Sequence, residues 1–298
     1  MYKLLDWIQP YINKLDWSEL SLHPNAIELL EKNPEKIDWS NLSKNDSAMS
    51  LLVKNQDKID WSNLSINTSA ITLLFKNPEK IDWDKLCYNQ SHSLIYLLHK
   101  NPDKINWRNL SFSKNKYNQS IMEQNQDKID WEWLSTNSST WAVHLLEKNP
   151  EKINWTSLSI NSSTWAIQLL EKNLDKIDWT WLSLNKNLMA FHLIEKNIDK
   201  INWVCCSSNP NTLSLLEKYP EKIDWEFVSS NQNAIHLLEK NIDKINWKVL
   251  SKNPHIFTLD YDFLRKRMDV LREELMCRAW HPSRIMAWLE QGLDMEDL

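Results

Sequence analysis

Trp17-Ser-Glu-Leu-Ser-Leu-His-Pro-Asn-Ala-Ile-Glu-Leu-Leu-Glu-Lys-Asn-Pro-Glu-Lys-Ile-Asp38 is the stretch that decides the fold, because its pattern recurs eleven times along the chain. In each copy an aspartate or an asparagine precedes the tryptophan, and successive tryptophans lie 22 or 24 residues apart. Self-similarity at a fixed period of this size is typical of solenoids and arrays. A unit this short cannot bury its apolar face alone, so the units are expected to stack around one continuous core.

Each repeat predicts one longer helix and one shorter element. The apolar residues of 26–30 fall on one face of an α-helix of about nine residues. Asn33 and Pro34 then end that helix, and the asparagine is expected in the left-handed conformation. Asp38 is expected to cap a helical turn over 39–43.

The tryptophans that open the repeats are predicted to be the spine of the core, because burying one such side chain removes roughly 150–250 Å² from water. They are Trp17, Trp39, Trp61, Trp83, Trp107, Trp131, Trp155, Trp179, Trp203, Trp225 and Trp247.

Five consecutive repeats, those that open at residues 83 to 179, have 24 residues instead of 22. The two extra residues precede the longer helix and are expected to extend its N-terminus and to change the local curvature. The repeat of Trp107 has the weakest pattern, since Asn118 and Gln119 stand where alanine and isoleucine normally stand. A bend or a softer spot is predicted there.

The sequence therefore predicts an all-α fold, a right- or left-handed α-solenoid of about eleven repeats with helical caps. Residues 1–15 are predicted as an N-terminal cap, 16–253 as the repeat solenoid and 254–298 as a C-terminal helical cap. Within the last segment we expect a charged helix over 259–278 and a second helix that ends at Gly292.

Composition narrows the classes of function. The net charge of −5 and the pI near 5.9 argue against a nucleic-acid or an anionic-membrane surface. The N-terminus has no signal-peptide pattern, and the four cysteines form neither a disulfide framework nor a CxxC pair. We expect an intracellular protein in a reducing compartment that is not secreted and is a monomer or a weak oligomer.

The unit Asn231-Gln-Asn-Ala-Ile-His-Leu-Leu-Glu-Lys-Asn-Ile-Asp-Lys-Ile-Asn-Trp247 resembles repeats in uncharacterised proteins of giant nucleocytoplasmic DNA viruses. The opening Leu4-Leu-Asp-Trp7 and the ending Trp280-His-Pro-Ser-Arg284 resemble the ends of those proteins. The resemblance implies a viral origin but no chemistry that maps onto individual residues. The architecture is also similar to leucine-rich-variant solenoids.

Candidate binding residues lie at variable positions of the repeat. An aromatic residue two positions after the opening tryptophan and a histidine in the longer helix occur together in alternate repeats. The residues concerned are Trp133, Trp181, Phe227, His144, His192 and His236. They are consistent with duplication of a two-repeat block and also with an aromatic–histidine stripe that binds a partner. A metal site is not expected, because alternate repeats would place the histidines roughly 20 Å apart.

Other regular features have structural interpretations. A lysine precedes each Ile-Asp/Asn-Trp of the second to eleventh repeats and directly follows an acidic residue, which favours a solvated face over a phosphate-binding ridge. The serine of Leu-Ser-x-Asn has no histidine or aspartate partner, so we expect it to cap a turn. No glycine-rich phosphate loop is present, and we expect no catalytic, cofactor or metal site.

The leading hypothesis is a non-enzymatic scaffold that binds a protein partner, viral or host, along its variable face in the infected cell. A structural component of the virus particle and a repeat-based nucleic-acid binder are the alternatives. The sequence leaves open whether the binding face is concave or convex.

Overall fold

The computed structural model describes residues 2–290, apart from the side chains at 279 and 289, and it consists of Trp-initiated helical repeats. The prediction of an all-α repeat array is confirmed. Each repeat opens with a short helix, here named the Trp helix. The Trp helices are Trp17–Leu22, Trp39–Leu42, Trp61–Leu64, Trp83–Leu86, Trp107–Phe112, Trp131–Thr136, Trp155–Ser159, Trp179–Ser183, Trp203–Ser208, Trp225–Val228 and Trp247–Leu250.

A second helix, here named the main helix, follows in the first ten repeats. The main helices are Ile27–Glu31, Met49–Lys54, Ile71–Lys76, Leu94–Lys100, Gln119–Gln124, Thr140–Lys148, Thr164–Glu171, Leu188–Lys196, Leu213–Lys218 and Ile235–Glu239. Three of the five repeats with two extra residues have main helices of eight or nine residues, whereas those of the 22-residue repeats have five or six. The insertion therefore lengthens the main helix in these three repeats, as expected.

Short 3₁₀ turns complete most repeats. Those that precede a main helix are Pro24–Ala26, Asp46–Ala48, Thr68–Ala70, Lys116–Asn118 and Pro210–Thr212. Those that lead to the next Trp helix are Pro34–Lys36, Gln56–Lys58, Pro78–Lys80, Pro102–Lys104, Gln126–Lys128, Pro150–Lys152, Leu174–Lys176, Pro220–Lys222 and Ile242–Lys244. A further 3₁₀ helix, Gln9–Lys14, precedes the first repeat, and Pro254–Ile256 lies in the last.

The acidic or amide residue before each tryptophan caps the Trp helix, as predicted. Asp38 Oδ1, for example, accepts a hydrogen bond from the backbone N–H of Asn41 at 3.0 Å. The left-handed conformation expected after the main helix is wrong. Asn33 has φ −134° and ψ 60°, and its Nδ2 donates to Leu29 O at 2.8 Å. The asparagine thus ends the helix through its side chain.

The serine at position +4, counted from the opening tryptophan, joins one repeat to the next. Ser21 Oγ donates to Trp17 O at 2.8 Å and accepts from the backbone N–H of Asp38, in the following repeat, at 3.0 Å. The predicted turn-capping role is therefore incomplete, because the hydroxyl bridges two repeats. The same pair of bonds recurs at Ser43, Ser65, Ser111, Ser135, Ser159, Ser183, Ser207 and Ser229.

The asparagine at position +6 forms a second buried connection between repeats. Asn45 Nδ2 donates to Ser21 O and His23 O of the preceding repeat, both at 3.1 Å, and Asn45 Oδ1 accepts from Ser47 N–H. Equivalent bonds occur at Asn67, Asn89, Asn137, Asn161, Asn185, Asn209, Asn231 and Asn253. These polar groups can be buried because each is satisfied by a neighbouring repeat.

The fully buried apolar residues are leucines and alanines rather than the tryptophans. Leu20, Ala26 and Leu30 have no exposed surface, and the same positions are buried in most later repeats. The opening tryptophans pack against this core but remain partly exposed. The centre of the core is thus formed by leucines and alanines, and the tryptophans, predicted to be its spine, cover the edge of the core.

The first and last repeats contact each other as successive repeats do. The backbone N–H of Asp16 donates to Ser251 Oγ at 2.8 Å, which is the serine bridge described above. Lys14 Nζ lies 5.4 Å from the ring centre of Trp247, the position that Lys36 takes over Trp17. The array therefore closes on itself, with eleven interfaces between eleven repeats.

The eleventh repeat is built from both ends of the chain. Strand β1, Tyr2–Leu4, pairs antiparallel with strand β2, Phe257–Leu259, with Lys3 opposite Thr258. This strand pair and the helix Gln9–Lys14 occupy the place of the missing main helix. The segments predicted as two separate caps therefore meet, and the core continues through Leu4 and Ile8.

We infer that the Trp helices form the inner wall of the ring. Several pairs of adjacent Trp helices, such as Trp107–Phe112 and Trp131–Thr136, approach within 8 Å between Cα atoms. Adjacent main helices leave grooves between them, for example one lined by Ile167, Met189 and His192. In a closed array the more closely spaced layer is the inner one. At interaxial distances of 8–10 Å, eleven helices enclose a lumen roughly 20 Å across.

Beyond β2 the chain leaves the ring. A 19-residue helix, Tyr261–Ala279, here named the projecting helix, is followed by the helix Pro282–Glu290. Both of the predicted C-terminal helices are therefore present. Gly292, expected to end the second, lies outside the described residues.

The repeat of Trp107 contains a buried polar defect at Asn118. Both atoms of its side-chain amide are buried without a hydrogen-bond partner, in the position that Ala26 takes in the first repeat. A buried polar group without a partner destabilises the folded state. This is consistent with the softer spot predicted for the repeat.

Asn118→Ala is expected to stabilise the protein by about 1–3 kcal/mol, because it removes the unpaired amide and restores the residue of the other repeats. Urea unfolding of wild type and variant measures the difference. Asn161→Ala, which removes a paired amide, is the matched control and should destabilise. A loss of stability in Asn118→Ala would contradict the proposed defect.

Ser159→Ala is expected to cost about 1–3 kcal/mol, because it leaves the partly buried N–H of Asp178 without its acceptor. The control is Ser157→Ala, two residues away, for which the expected change is within about 0.5 kcal/mol. Equal unfolding free energies for the two variants would show that the serine bridge contributes nothing specific.

Candidate partner-binding surfaces

The first turns of the Trp helices supply the side chains of the inner wall. At the constant positions these side chains are already engaged: Ser21 bridges to the next repeat and Asp38 caps its helix. Position +2 varies from repeat to repeat. Its side chains are therefore the ones that can differ in what they bind.

The aromatic residues predicted as binding residues lie at this +2 position. Trp181 and Phe227 are each 43% exposed, which is unusual for large apolar side chains. Trp133 is half-buried, edge-on to Phe112 at 5.3 Å and beneath the guanidinium of Arg108 at 5.1 Å. Trp181 and Phe227 are thus open to a partner, whereas Trp133 is partly engaged by its neighbours.

A short aromatic ladder runs across three repeats at this wall. Tyr88 and Phe112, at position +5 of adjacent repeats, are 5.9 Å apart, and Phe112 continues to Trp133. Tyr88 Oη also donates to Asn109 Oδ1 at 2.8 Å. Sequence reasoning missed Tyr88 and Phe112. The signal was available, since both stand where smaller or polar residues stand in most repeats.

The histidines lie on a different layer from the aromatic residues. His144, His192 and His236 are exposed on main helices. His192 lines a groove with the preceding main helix, and His236 Nε2 lies 3.0 Å from Glu217 Oε1. Trp133, by contrast, contacts Phe112 and Arg108 of the neighbouring Trp helix. The structure therefore does not bring the two sets together as one stripe.

The regular lysines are not merely solvated. Lys80 Nζ lies 4.2 Å from the centre of the Trp61 ring, so the ammonium group covers the tryptophan that opens its own repeat. Such contacts contribute about 0.5–1 kcal/mol each at exposed sites. Equivalent pairs involve Lys36, Lys58, Lys104, Lys128, Lys152, Lys176, Lys200 and Lys244.

The projecting helix presents a second apolar surface. Tyr261, Met268 and Leu275 are 67%, 63% and 66% exposed, and they share one face with Leu264 and Leu271. The spacing of these five residues alternates between three and four, as in a coiled coil. The sequence contained this pattern, but the segment was interpreted as an ordinary charged cap.

No cofactor chemistry is evident in the described part of the chain. Burial raises the pKa of the Cys87 and Cys206 thiols to about 11, so these cysteines are structural. Among residues 2–290 no group of three or more His, Cys, Asp or Glu side chains is placed to hold a metal ion. In the same range no helix has the length and apolar character needed to cross a bilayer.

No protein-family model matches the chain, and no curated protein and no solved structure matches it.

Proposed function

We propose that the protein is a non-enzymatic ring scaffold that binds a protein partner on its inner wall. The observation that carries the proposal is the exposure of Trp181 and Phe227 on a wall whose constant residues are used up in bonds between repeats. Tryptophan and other large aromatic residues are the side chains that most often dominate the energy of protein interfaces.

The dimensions of the lumen favour a slender partner element. An α-helix with its side chains is about 10–12 Å wide, so it fits within a lumen roughly 20 Å across. Such an element would contact several repeats at once. We infer that the partner inserts a helix or an extended segment, and that the varied +2 residues select it.

The charge of the wall is mixed, which supports a protein partner over a nucleic acid. Arg108 and Lys248 at position +1 are balanced by Glu132 and Glu226 at the same position of other repeats. A nucleic-acid groove requires a continuous positive surface. A salt titration with single-stranded RNA and duplex DNA tests this alternative, and tight binding that weakens steeply with salt would favour it.

The resemblance to repeat proteins of giant DNA viruses supports a role in an infected cell, with a viral or host partner. A structural role in the virus particle is the second candidate. The exposed face of the projecting helix favours it, because an uncovered apolar helix suits assembly. Abundance of the protein in purified virions, and its loss from them in a Met268→Ser/Leu275→Ser variant, would support this second candidate.

The double variant Trp181→Ser/Phe227→Ser is expected to weaken partner binding about 30-fold or more, the effect of losing about 2 kcal/mol at an interface centre. The partner is isolated from infected cells by affinity purification, and titration calorimetry with the purified partner gives the Kd.

Leu174→Ser is the matched control. Leu174 is also 43% exposed but lies in a 3₁₀ turn between repeats, away from the inner wall. Its Kd should stay near that of wild type. Unchanged binding by the double variant, or an equal loss in the control, would refute the inner wall as the binding surface.

A further inference from the structure

The first repeat has a histidine at position +6, where nine repeats have an asparagine and the fifth has Ser113, with Asn115 making the bonds to the preceding repeat. His23 occupies position +6 of the first repeat, and it packs against the eleventh repeat. The interface between these two repeats is the only one of the eleven that no peptide bond spans, because it joins the two ends of the array. The interface with a histidine at position +6 is therefore also the interface that no peptide bond spans.

The imidazole of His23 is held in one protonation state. Its Nδ1 accepts a hydrogen bond from the backbone N–H of Asn25 at 3.1 Å, so the single proton of the neutral ring is on Nε2. Nε2 is buried near the carbonyls of Asn253 and Pro254 and forms no well-aligned hydrogen bond. The ring is 5% exposed and lies 4.6 Å from the ring centre of Phe257, on β2.

A second proton would disrupt this arrangement. Protonated Nδ1 becomes a donor and can no longer accept from Asn25 N–H, so two donors would face each other. The added charge would also lie in a site with almost no access to water. An asparagine amide does not take up a proton at these pH values. The interfaces that have an asparagine at this position therefore do not share the sensitivity to pH.

We propose that the junction between the first and eleventh repeats is a pH-dependent clasp that opens when His23 takes up a proton. Opening there separates β1 from β2 and gives lateral access to the lumen. The other interfaces, which are covalently continuous, stay closed. The ring thus becomes an open array at one defined point.

The direction of the pH effect follows from linkage. Burial lowers the pKa of His23 below its ordinary value of 6.5, against the weaker opposing effect of the Asn253 and Pro254 carbonyls. The open form therefore binds more protons than the closed form below pH 6.5. Closure is fully stabilised above that pH and weakens as the pH falls through it, by at most about tenfold in the closing equilibrium per pH unit.

Other titratable groups surround the junction, and the His23 variants leave them unchanged. Those on the elements that pack around His23 are Lys3, Glu19, Lys44, Asp46, Lys248, Lys252 and His255. Two ion pairs also join the repeats here, Lys252 with Glu19 at 3.0 Å and Lys248 with Asp16 at 3.8 Å. The His23 variants leave both ion pairs intact, so the comparison with wild type isolates the contribution of the histidine.

The experiment is hydrogen exchange of the full chain, followed by mass spectrometry, between pH 7.5 and 5.5. The readout is the protection of the β1 and β2 amides, corrected for the intrinsic effect of pH by comparison with peptides from internal interfaces. In wild type the protection of the junction should fall with pH, by up to about tenfold per unit beyond the internal peptides.

His23→Asn restores the residue of the other interfaces and should abolish this extra pH dependence while keeping the junction protected. His23→Gln, a second neutral variant, serves the same purpose if the first does not fold. His255→Asn removes the other histidine of the junction and should behave as wild type. The clasp is refuted if the His23 variants keep the wild-type pH dependence, or if His255→Asn abolishes it.

Discussion

The hydrogen bonds that link one repeat to the next are the constraint on which the rest of the structure depends. Each +4 serine and +6 asparagine is buried and finds partners in its own repeat and in a neighbouring one. A repeat on its own would leave these groups without their partners in the neighbouring repeat, so the bonds contribute to stability only when repeats stack. Stability is thus a property of neighbouring pairs, as in other repeat arrays. Cys87, which replaces a serine and reaches Trp83 O at 3.4 Å, shows that the position requires a small side chain with a proton to donate.

Closure gives these bonds their full effect. In an open array, the serine of the last repeat would accept no backbone N–H, and one set of carbonyls at the end of the array would be unpaired. Such an array needs dedicated caps. Here Ser251 receives the N–H of Asp16, and the two terminal strands replace the missing main helix. The joint differs from the other interfaces in its two strands and in the histidine at position +6.

The repeat, its two helices and the capping aspartates could be predicted from the sequence because they depend on local spacing. The partial exposure of the tryptophans, the hydrogen bonds of the asparagines between repeats and the closure of the ring could not be predicted in this way. Spacing shows that Trp17 and Leu20 share a face but not which of them the next repeat covers. Closure depends on the small rotation between neighbours, accumulated eleven times, and no single residue encodes it. The candidate aromatic residues lie on the Trp helices and the candidate histidines on the main helices, and their separation depends on how the two kinds of helix pack. That packing became visible only with the grooves between the main helices.

Zero-length carbodiimide cross-linking of the purified monomer tests ring closure most directly. Glu19 Oε1 and Lys252 Nζ lie 3.0 Å apart across the junction, at opposite ends of the sequence. The closed ring predicts an amide between these two side chains within one chain, detected as a single linked peptide pair by mass spectrometry at neutral pH. Absence of that pair from the monomer, or its appearance only in cross-linked dimers, would contradict closure.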